Sequence, residues 1–274
     1  MIPERDRYWS WVGACSIGSA HIAAGTGCDD AGACLEVPAP AGPTLIAVVS
    51  DGAGTAAHSR MGAKIACSEF CRAAVEYVTQ GGQLDHFDSD LADQWLDRVR
   101  DRIAHIAEER GSALRSFAAT LVGAVIQHET AAFVHVGDGA CVLRLADQPD
   151  WTVQSWPSHG EYASTTYFVT DDPQPCAKTS LVVGTIEEVA LFTDGLERLA
   201  LDFASTNAFP GFFDPMFRPI RLAGGGRQRE LSRELRTFLD SPRVTGRTDD
   251  DKTIILARRM VPAVNSKHQP GSPA

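Results

Sequence analysis

Hydrophobic and polar positions divide the chain into stretches of different period. Thr44-Leu-Ile-Ala-Val-Val-Ser50 is a short apolar run rich in β-branched residues and stopped by Asp51-Gly52, a pattern that predicts a buried strand ending in a turn. Beyond it Ala66, Phe70, Ala73 and Tyr77, and then Leu91, Trp95, Val99, Ile103 and Ile106, recur at spacings of three and four. That period predicts two successive amphipathic helices. From Ser116 the period shortens. Residues 118–126, 131–136, 140–145 and 151–155 are β-type runs divided by His-Glu, Gly-Asp-Gly and Asp-Gln-Pro-Asp breaks, and together they read as an antiparallel meander. Residues 162–170 and 188–193 predict further strands, Leu231, Leu235, Phe238 and Leu239 a late helix, and residues 253–257 a last strand.

Strands, two long helices, strands again, then a helix and a strand do not alternate as βαβ units do, so an α+β fold with largely antiparallel sheets is expected. The length of 274 residues suits a single domain over residues 1–260. Residues 261–274 contain Pro, Ser and Asn without periodicity and are expected to form a disordered tail. The formal charge of −10 argues against nucleic acid or an anionic membrane as partner. The first residues lack the apolar stretch of a secretory leader, and no run approaches the length of a membrane helix, so a soluble cytoplasmic chain, and a monomer, is expected. Seven scattered cysteines without metal-ligand spacing fit a reducing compartment. Cys67 and Cys71 are read as packing residues of a helix. Arg227, Arg229, Arg233 and Arg236 alternate with Glu230 and Glu234 and are read as a solvated face.

Candidate chemistry lies in the placement of acids. Three β-type runs end in x-Asp-Gly, at Asp51, Asp138 and Asp194, while Asp29-Asp30 and Asp249-Asp250-Asp251 stand directly before two more. Each Asp-Gly has a plainer reading as a hairpin turn whose Gly supplies positive φ, strongest for Asp138-Gly139 with a strand on either side. Asp51 and Asp194, which precede helix-like segments, also have a reading as helix caps. Three consecutive acids at 249–251 repel one another, and a cation would relieve that repulsion. An Asp-rich, His-poor set suits Mg²⁺ or Mn²⁺, and two such ions about 4 Å apart activate water toward a phosphate ester.

Six segments in order resemble the successive motifs of PP2C-type, metal-dependent protein phosphatases: Cys28-Asp-Asp-Ala-Gly32, Val48-Val-Ser-Asp-Gly-Ala-Gly54, Phe117-Ala-Ala-Thr-Leu121, Val134-His-Val-Gly-Asp-Gly139, Leu191-Phe-Thr-Asp-Gly195 and Asp250-Asp-Lys-Thr253. The form Ser-Asp-Gly-Ala-Gly-Thr and the run from Gly160 to Tyr167 are similar to a bacterial subgroup of stand-alone domains. The resemblance implies a four-layer α-β-β-α sandwich of two mainly antiparallel sheets. It also implies hydrolysis of phosphoserine and phosphothreonine on proteins by water activated at two Mn²⁺ or Mg²⁺ ions, with a third, weaker ion in some members. Asp51 would bridge the two metals, the Gly52 carbonyl would join the second, and Asp194 and Asp250 would hold the first. Asp30 falls on the family's early acid, with Asp29 where Glu or Gln is usual, and Asp138 matches the acid of the additional ion. The implied partner is a phosphoprotein, a Ser/Thr kinase or its target.

Two departures stand out. The arginine that grips phosphate in many members is Gly25 here, leaving His21 and Arg60 as phosphate-binding candidates. The histidine two residues past the bridging aspartate is Ala53, leaving His58 as a candidate acid. These losses motivate a second reading, a catalytically weak or inactive binding or regulatory module of the same fold. Residues 158–185 are expected between sheet strands beside the cleft, in the family's variable flap.

Overall fold

The structure, a computed structural model, describes residues 8–158, 166–172 and 175–260. The strands are β1 (Trp9–Ser16), β2 (Ala31–Val37), β3 (Thr44–Ser50), β4 (Leu121–Ile126), β5 (Thr130–Val136), β6 (Ala140–Leu145), β7 (Thr152–Ser155), β8 (Lys178–Val183), β9 (Ile186–Phe192), β10 (Leu201–Asp202), β11 (Asn207–Ala208), β12 (Gly226–Arg227) and β13 (Lys252–Arg259). The helices are α1 (Ser19–Ala24), α2 (Ser59–Thr79), α3 (Ser89–Glu109), α4 (Glu197–Ala200), α5 (Pro210–Arg221), α6 (Arg229–Leu239) and α7 (Pro242–Thr245), with 3-10 turns at Leu84–His86, Leu114–Phe117 and Asp194–Leu196.

One main sheet has the order β12-β1-β13-β9-β6-β7 and the other β2-β3-β4-β5-β8. Their pairings are antiparallel except for β1 with the two-residue β12. The sheets face each other across a core that includes Trp9, Leu45, Val49, Phe133, Leu191 and Ile255. A second core, with Phe70, Trp95, Val99 and Phe117, joins the five-stranded sheet to α2 and α3. A third, with Phe192, Phe213, Phe217 and Leu239, joins the six-stranded sheet to α5 and α6. These three apolar layers make the expected α-β-β-α sandwich. Because β3 is central and covered on both faces, every residue from Thr44 to Ser50 is buried, which is why it reads as an unbroken apolar run. At the base of α2 and α3, Trp95 takes edge contacts from Phe70, Tyr77 and Phe87 at centroid distances of 5.6, 5.8 and 5.0 Å. The start of α3 is fixed by Asp88, whose carboxylate accepts from the Leu91 amide at 2.9 Å, a side-chain N-cap.

Several expectations need correction. The meander is not one sheet: β4 and β5 belong to the five-stranded sheet and β6 and β7 to the six-stranded one, so the chain crosses the sandwich at residues 137–139. Of the strand expected over 162–170, residues 162–165 lie outside the described residues, and 167–170 are not strand. The segment 158–185 is not all loop, since 178–183 form β8, an edge strand paired with β5. Its exposed, alternating side chains carry little of the apolar signal that marks a core strand. Helix α5 escapes the apolar periodicity because Pro215 and Pro219 lie inside it, where proline ordinarily ends helices. Strand β1 escapes because Gly13, Ala14, Cys15 and Ser16 offer small side chains in place of a β-branched run. The expected tail, 261–274, lies outside the described residues. The late-helix arginines behave as a solvated face, with Arg233 paired to Glu230 and Arg236 to Asp240 within α6 and its cap. All seven cysteines are unpaired.

Near the crossing, β5 carries a titratable group that both sheets enclose. His135 is 2% exposed, and its Nδ1 pairs with the Ser155 hydroxyl of β7. Burial, with the Lys178 charge adding to it, holds its pKa down to about 4. A depressed histidine pKa stabilises the fold at pH values above the unfolded value of about 6.5, and that contribution is lost as pH falls toward 4. Urea unfolding followed from neutral pH to about 4 is expected to show a decline on the order of 3 kcal/mol from this residue. A His135→Gln variant should flatten the decline, and an equal slope in both proteins would remove His135 as its source.

Candidate active site

The acids collect where strand ends of the two sheets meet. Asp51 follows β3, Asp138 lies on the crossing between β5 and β6, and Asp194 follows β9. One carboxylate oxygen from each lies within 4.8 Å of the others. The backbone beneath Asp51 is pinned by the Phe117-Ala-Ala-Thr-Leu121 segment. The Asp51 amide donates to Thr120 Oγ1 at 2.9 Å, the Thr120 and Ala53 amides donate to the Asp51 and Ala118 carbonyls at 2.8 and 3.0 Å, and Ser50 Oγ donates to the Thr120 carbonyl at 2.5 Å. Asp138 accepts from Thr166 Oγ1 at 2.5 Å. Asp30, 5% exposed just before β2, accepts from Thr193 Oγ1 at 2.8 Å, and that same hydroxyl oxygen accepts from the Thr253 amide at 2.9 Å.

The glycines beside these acids serve close approach. Gly52, Gly139 and Gly195 do not have positive φ, whereas Gly137, one residue before Asp138, has φ 103°. The hairpin reading of Asp138-Gly139 therefore fails, and Asp51 and Asp194 are not helix caps: α2 begins only at Ser59, and Asp194 lies inside its 3-10 turn after Thr193. A Cβ on Gly195 would sit 1.9 Å from the Asp251 carbonyl oxygen, and one on Gly52 2.6 Å from the Ser59 carbonyl carbon and 2.8 Å from the Asp29 carbonyl oxygen. Only a glycine lets the loops come this close.

Within the triple acid the three residues differ. Asp251 is 2% exposed and accepts from the amides of Gly18 and Asp29, both at 2.6 Å, while His21 Nδ1 lies 3.0 Å from its Oδ2. Its charge is thus met by backbone donors and His21, so part of the repulsion expected to call for a cation is relieved within the fold. Asp250 is exposed. It lines a cavity of about 220 Å³ together with Asp194 and stands outside the tight group of Asp51, Asp138 and Asp194. Buried Lys252 donates to the carbonyls of Asp250 and Ile17 at 3.0 and 3.3 Å.

These carboxylates crowd a poorly hydrated place. Burial and the charges of Asp30 and Asp194 raise the Asp51 pKa well above the carboxylate range. Burial, then Asp138 and Asp250, push Asp194 up to about 8. Asp30 is pushed up to about 7 by burial, and Asp250 is raised mainly by burial. Buried Oδ1 atoms of Asp30, Asp138 and Asp194 lack hydrogen-bond partners among the described residues. Orphaned carboxylate oxygens that resist ionisation together, with no thiol or imidazole in the tight group, fit hard divalent cations.

The other candidates are engaged elsewhere or open. Both partners of His21 Nδ1, the Asp251 carboxylate and the Gly27 carbonyl at 3.1 Å, are acceptors, so that nitrogen carries the proton. Arg60 Nε donates to the Cys28 carbonyl at 2.6 Å and lies 3.9 Å from Asp29 Oδ1. The His58 ring packs on Phe117 at 4.8 Å, and its Nε2 meets Ser112 Oγ at 3.2 Å. Gly25 is the left-handed C-cap of α1, with φ 68° and open space where a side chain would begin. A β-carbon there is strained, a local reason why no arginine occupies the position. Thr120, Thr193 and Thr166 support the site without a signal of their own in the pattern of acids, and Asp251, though in that pattern, carries no sign that backbone amides seal it. All four lie inside quoted segments, but their partners depend on which strands adjoin.

The family model for protein phosphatase 2C matches residues 17–240. Serine/threonine-protein phosphatase 3 of Escherichia coli strain K12 is 35% identical over 253 residues, 91% of this chain and 98% of that protein. Among solved structures, the serine/threonine phosphatase Stp1 from Staphylococcus aureus is similar, with a TM-score of 0.61 at 14% identity over 92% of this chain and 95% of that one. The catalytic domain of the phosphatase PstP, solved with 2 manganese ions, gives 0.57 at 15% identity over 93% and 99%. By the match of its motifs, its sequence and its sandwich, the chain belongs to the protein phosphatase 2C family.

Proposed function

We propose that this chain is a metal-dependent phosphatase that hydrolyses phosphoserine and phosphothreonine on proteins, with Mn²⁺ or Mg²⁺ held by Asp30, Asp51, the Gly52 carbonyl, Asp138, Asp194 and Asp250. The observation that carries this reading is the convergence of Asp51, Asp138 and Asp194, with oxygens within 4.8 Å, from strand ends of both sheets. When bound, a pair of such cations lowers the pKa of water and neutralises charge on phosphoryl oxygens. The chain's own residues would supply the placement. Thr120 and Ser50 fix the backbone under Asp51, Thr193 orients Asp30, and Thr166 orients Asp138. The relatives' names support a phosphoprotein substrate, and a Ser/Thr kinase or its target is proposed as that phosphoprotein. Among the described residues no helix is long and apolar enough to cross a membrane, and the free cysteines support a reducing, cytoplasmic setting. A monomeric, single domain over residues 1–260 completes the proposal. The test is hydrolysis of p-nitrophenyl phosphate and a phosphothreonine peptide by the full chain, with Mn²⁺ and with a chelator. Metal-dependent release of phosphate supports it. Metal binding without turnover would favour the binding-module reading, motivated by Gly25 and Ala53.

The crowding of carboxyls makes a separate prediction. Asp30 and Asp194 have folded pKa values raised to about 7 and about 8, so their protonation stabilises the metal-free fold below the unfolded pKa of about 4, and this is lost as pH rises through 7 to 8. Cations replace the lost protons. The rise in Tm on adding millimolar Mn²⁺ is therefore expected to be larger at about pH 8 than at about pH 6, and a gain that shrinks with rising pH would contradict the linkage.

A further inference from the structure

Beside the aspartate group, the 220 Å³ cavity that Asp194 and Asp250 line is also lined by Arg198 and Arg247. Both arginines are exposed, and neither guanidinium has a hydrogen-bond or ion-pair partner among the described residues. The arginines nearest other buried or partly buried acids are committed. Arg144, Arg221 and Arg258 surround Glu188, and Arg60 lies against the Cys28 carbonyl and Asp29. A chain of net charge −10 repels acidic peptides at long range, so two free guanidiniums flanking the candidate metal ligands define where an anion is locally welcome. Glu197 and Asp249 line the same cavity and oppose diffuse negative charge. A compact oxyanion that meets the planar forks directly is favoured instead.

We infer that this cavity is a substrate subsite, in which Arg198 and Arg247 bind a second anionic group, a carboxylate or a second phosphate, close to the phosphoresidue being hydrolysed. The inference rests on the phosphatase reading and gives that activity a substrate class: phosphopeptides with an acidic or doubly phosphorylated flank. The two arginines act on specificity, since the single phosphate of a small aryl ester has no flanking group to offer them.

The experiment uses the full chain with Mn²⁺, as wild type and as Arg198→Gln, Arg247→Gln and the double variant. The substrates are p-nitrophenyl phosphate and three phosphothreonine peptides flanked by alanine, by aspartate or by phosphoserine. In wild type, kcat/KM for the anionic peptides is expected to exceed that for the alanine peptide about tenfold, the size of one charge-assisted hydrogen bond. In the double variant that ratio should fall to about one, with a loss on p-nitrophenyl phosphate at least about fivefold smaller than on the aspartate peptide. A preference only for the phosphoserine flank assigns the subsite to a second phosphate, and a preference for both assigns it to either anion. No preference in wild type, a preference kept in the double variant, or equal losses on all four substrates would overturn the inference. Should wild type hydrolyse none of them, the phosphatase reading fails first. Anisotropy of the labelled aspartate and alanine peptides then decides the subsite, which stands only if the aspartate peptide binds more tightly and the double variant abolishes the difference.

Discussion

Asp51→Asn is expected to reduce Mn²⁺-dependent phosphatase activity by about a hundredfold or more, since charge stabilisation by bound cations supplies several kcal/mol and each factor of ten is about 1.4 kcal/mol. Asp51 is the acid that contacts both halves of the site electrostatically, with Asp30, Asp194 and Asp250 all raising its pKa after burial itself. The substitution keeps the side-chain shape. It also keeps the loop, because Thr120 holds the backbone amide of residue 51 rather than its carboxylate. Loss of fold is therefore not the expected cause. The metal-free variant should be at least as stable as wild type near neutral pH, because one acid has left a group that resists ionisation together. Kinetics with saturating Mn²⁺ and a metal-free thermal melt check the two halves, and undiminished activity would remove Asp51 from the metal site.

Glu188→Ala is expected to destabilise the fold by about 3–5 kcal/mol, the usual cost of removing one partner from a buried ion pair. Glu188 lies on β9 with no exposure, and its in-register neighbours are Arg258 on β13 and Arg144 on β6. Arg221 of α5 closes over it with two hydrogen bonds of 2.7 and 2.9 Å, and Arg144 Nη2 lies 2.6 Å from its Oε2. Truncation leaves three guanidiniums together, with the shared Asp214 and Glu187 at 3.6 Å or more as the remaining acids. Urea denaturation of wild type, Glu188→Ala and Glu188→Gln measures the cost. The glutamine variant should fall between the others, and a loss under about 1 kcal/mol for alanine would mean the pairs roughly cancel their desolvation.

Much of this molecule is legible along the chain where local chemistry is the cause. Strand β3 matches its expected bounds because a doubly covered central strand must be apolar throughout, and α2 and α3 show their buried stripes as a period. The five acidic positions are legible because x-Asp-Gly closes three strands and two acidic clusters stand directly before two more. What the chain does not show is adjacency. The reading of residues 118–155 as one meander failed because a crossing between stacked sheets and a hairpin carry similar turn residues, and only the pairing of β6 with β9 rather than β5 separates them. Glu188 looks like any strand glutamate until β13 and β6 are placed on either side of it. Asp251 and Asp250 are neighbours in sequence, yet one is sealed by backbone amides and the other opens on the cavity. Helix α5 stayed hidden because its prolines argue locally against a helix that Phe213 and Phe217 stabilise through the core.

The most direct test of the account is an anomalous difference map from crystals of the full chain grown with Mn²⁺. Two peaks are predicted, both in contact with Asp51, one reaching Asp194 and Asp250 and the other the Gly52 carbonyl. Peaks elsewhere on the surface, or none beside Asp51, Asp138 and Asp194 at saturating Mn²⁺, would contradict it.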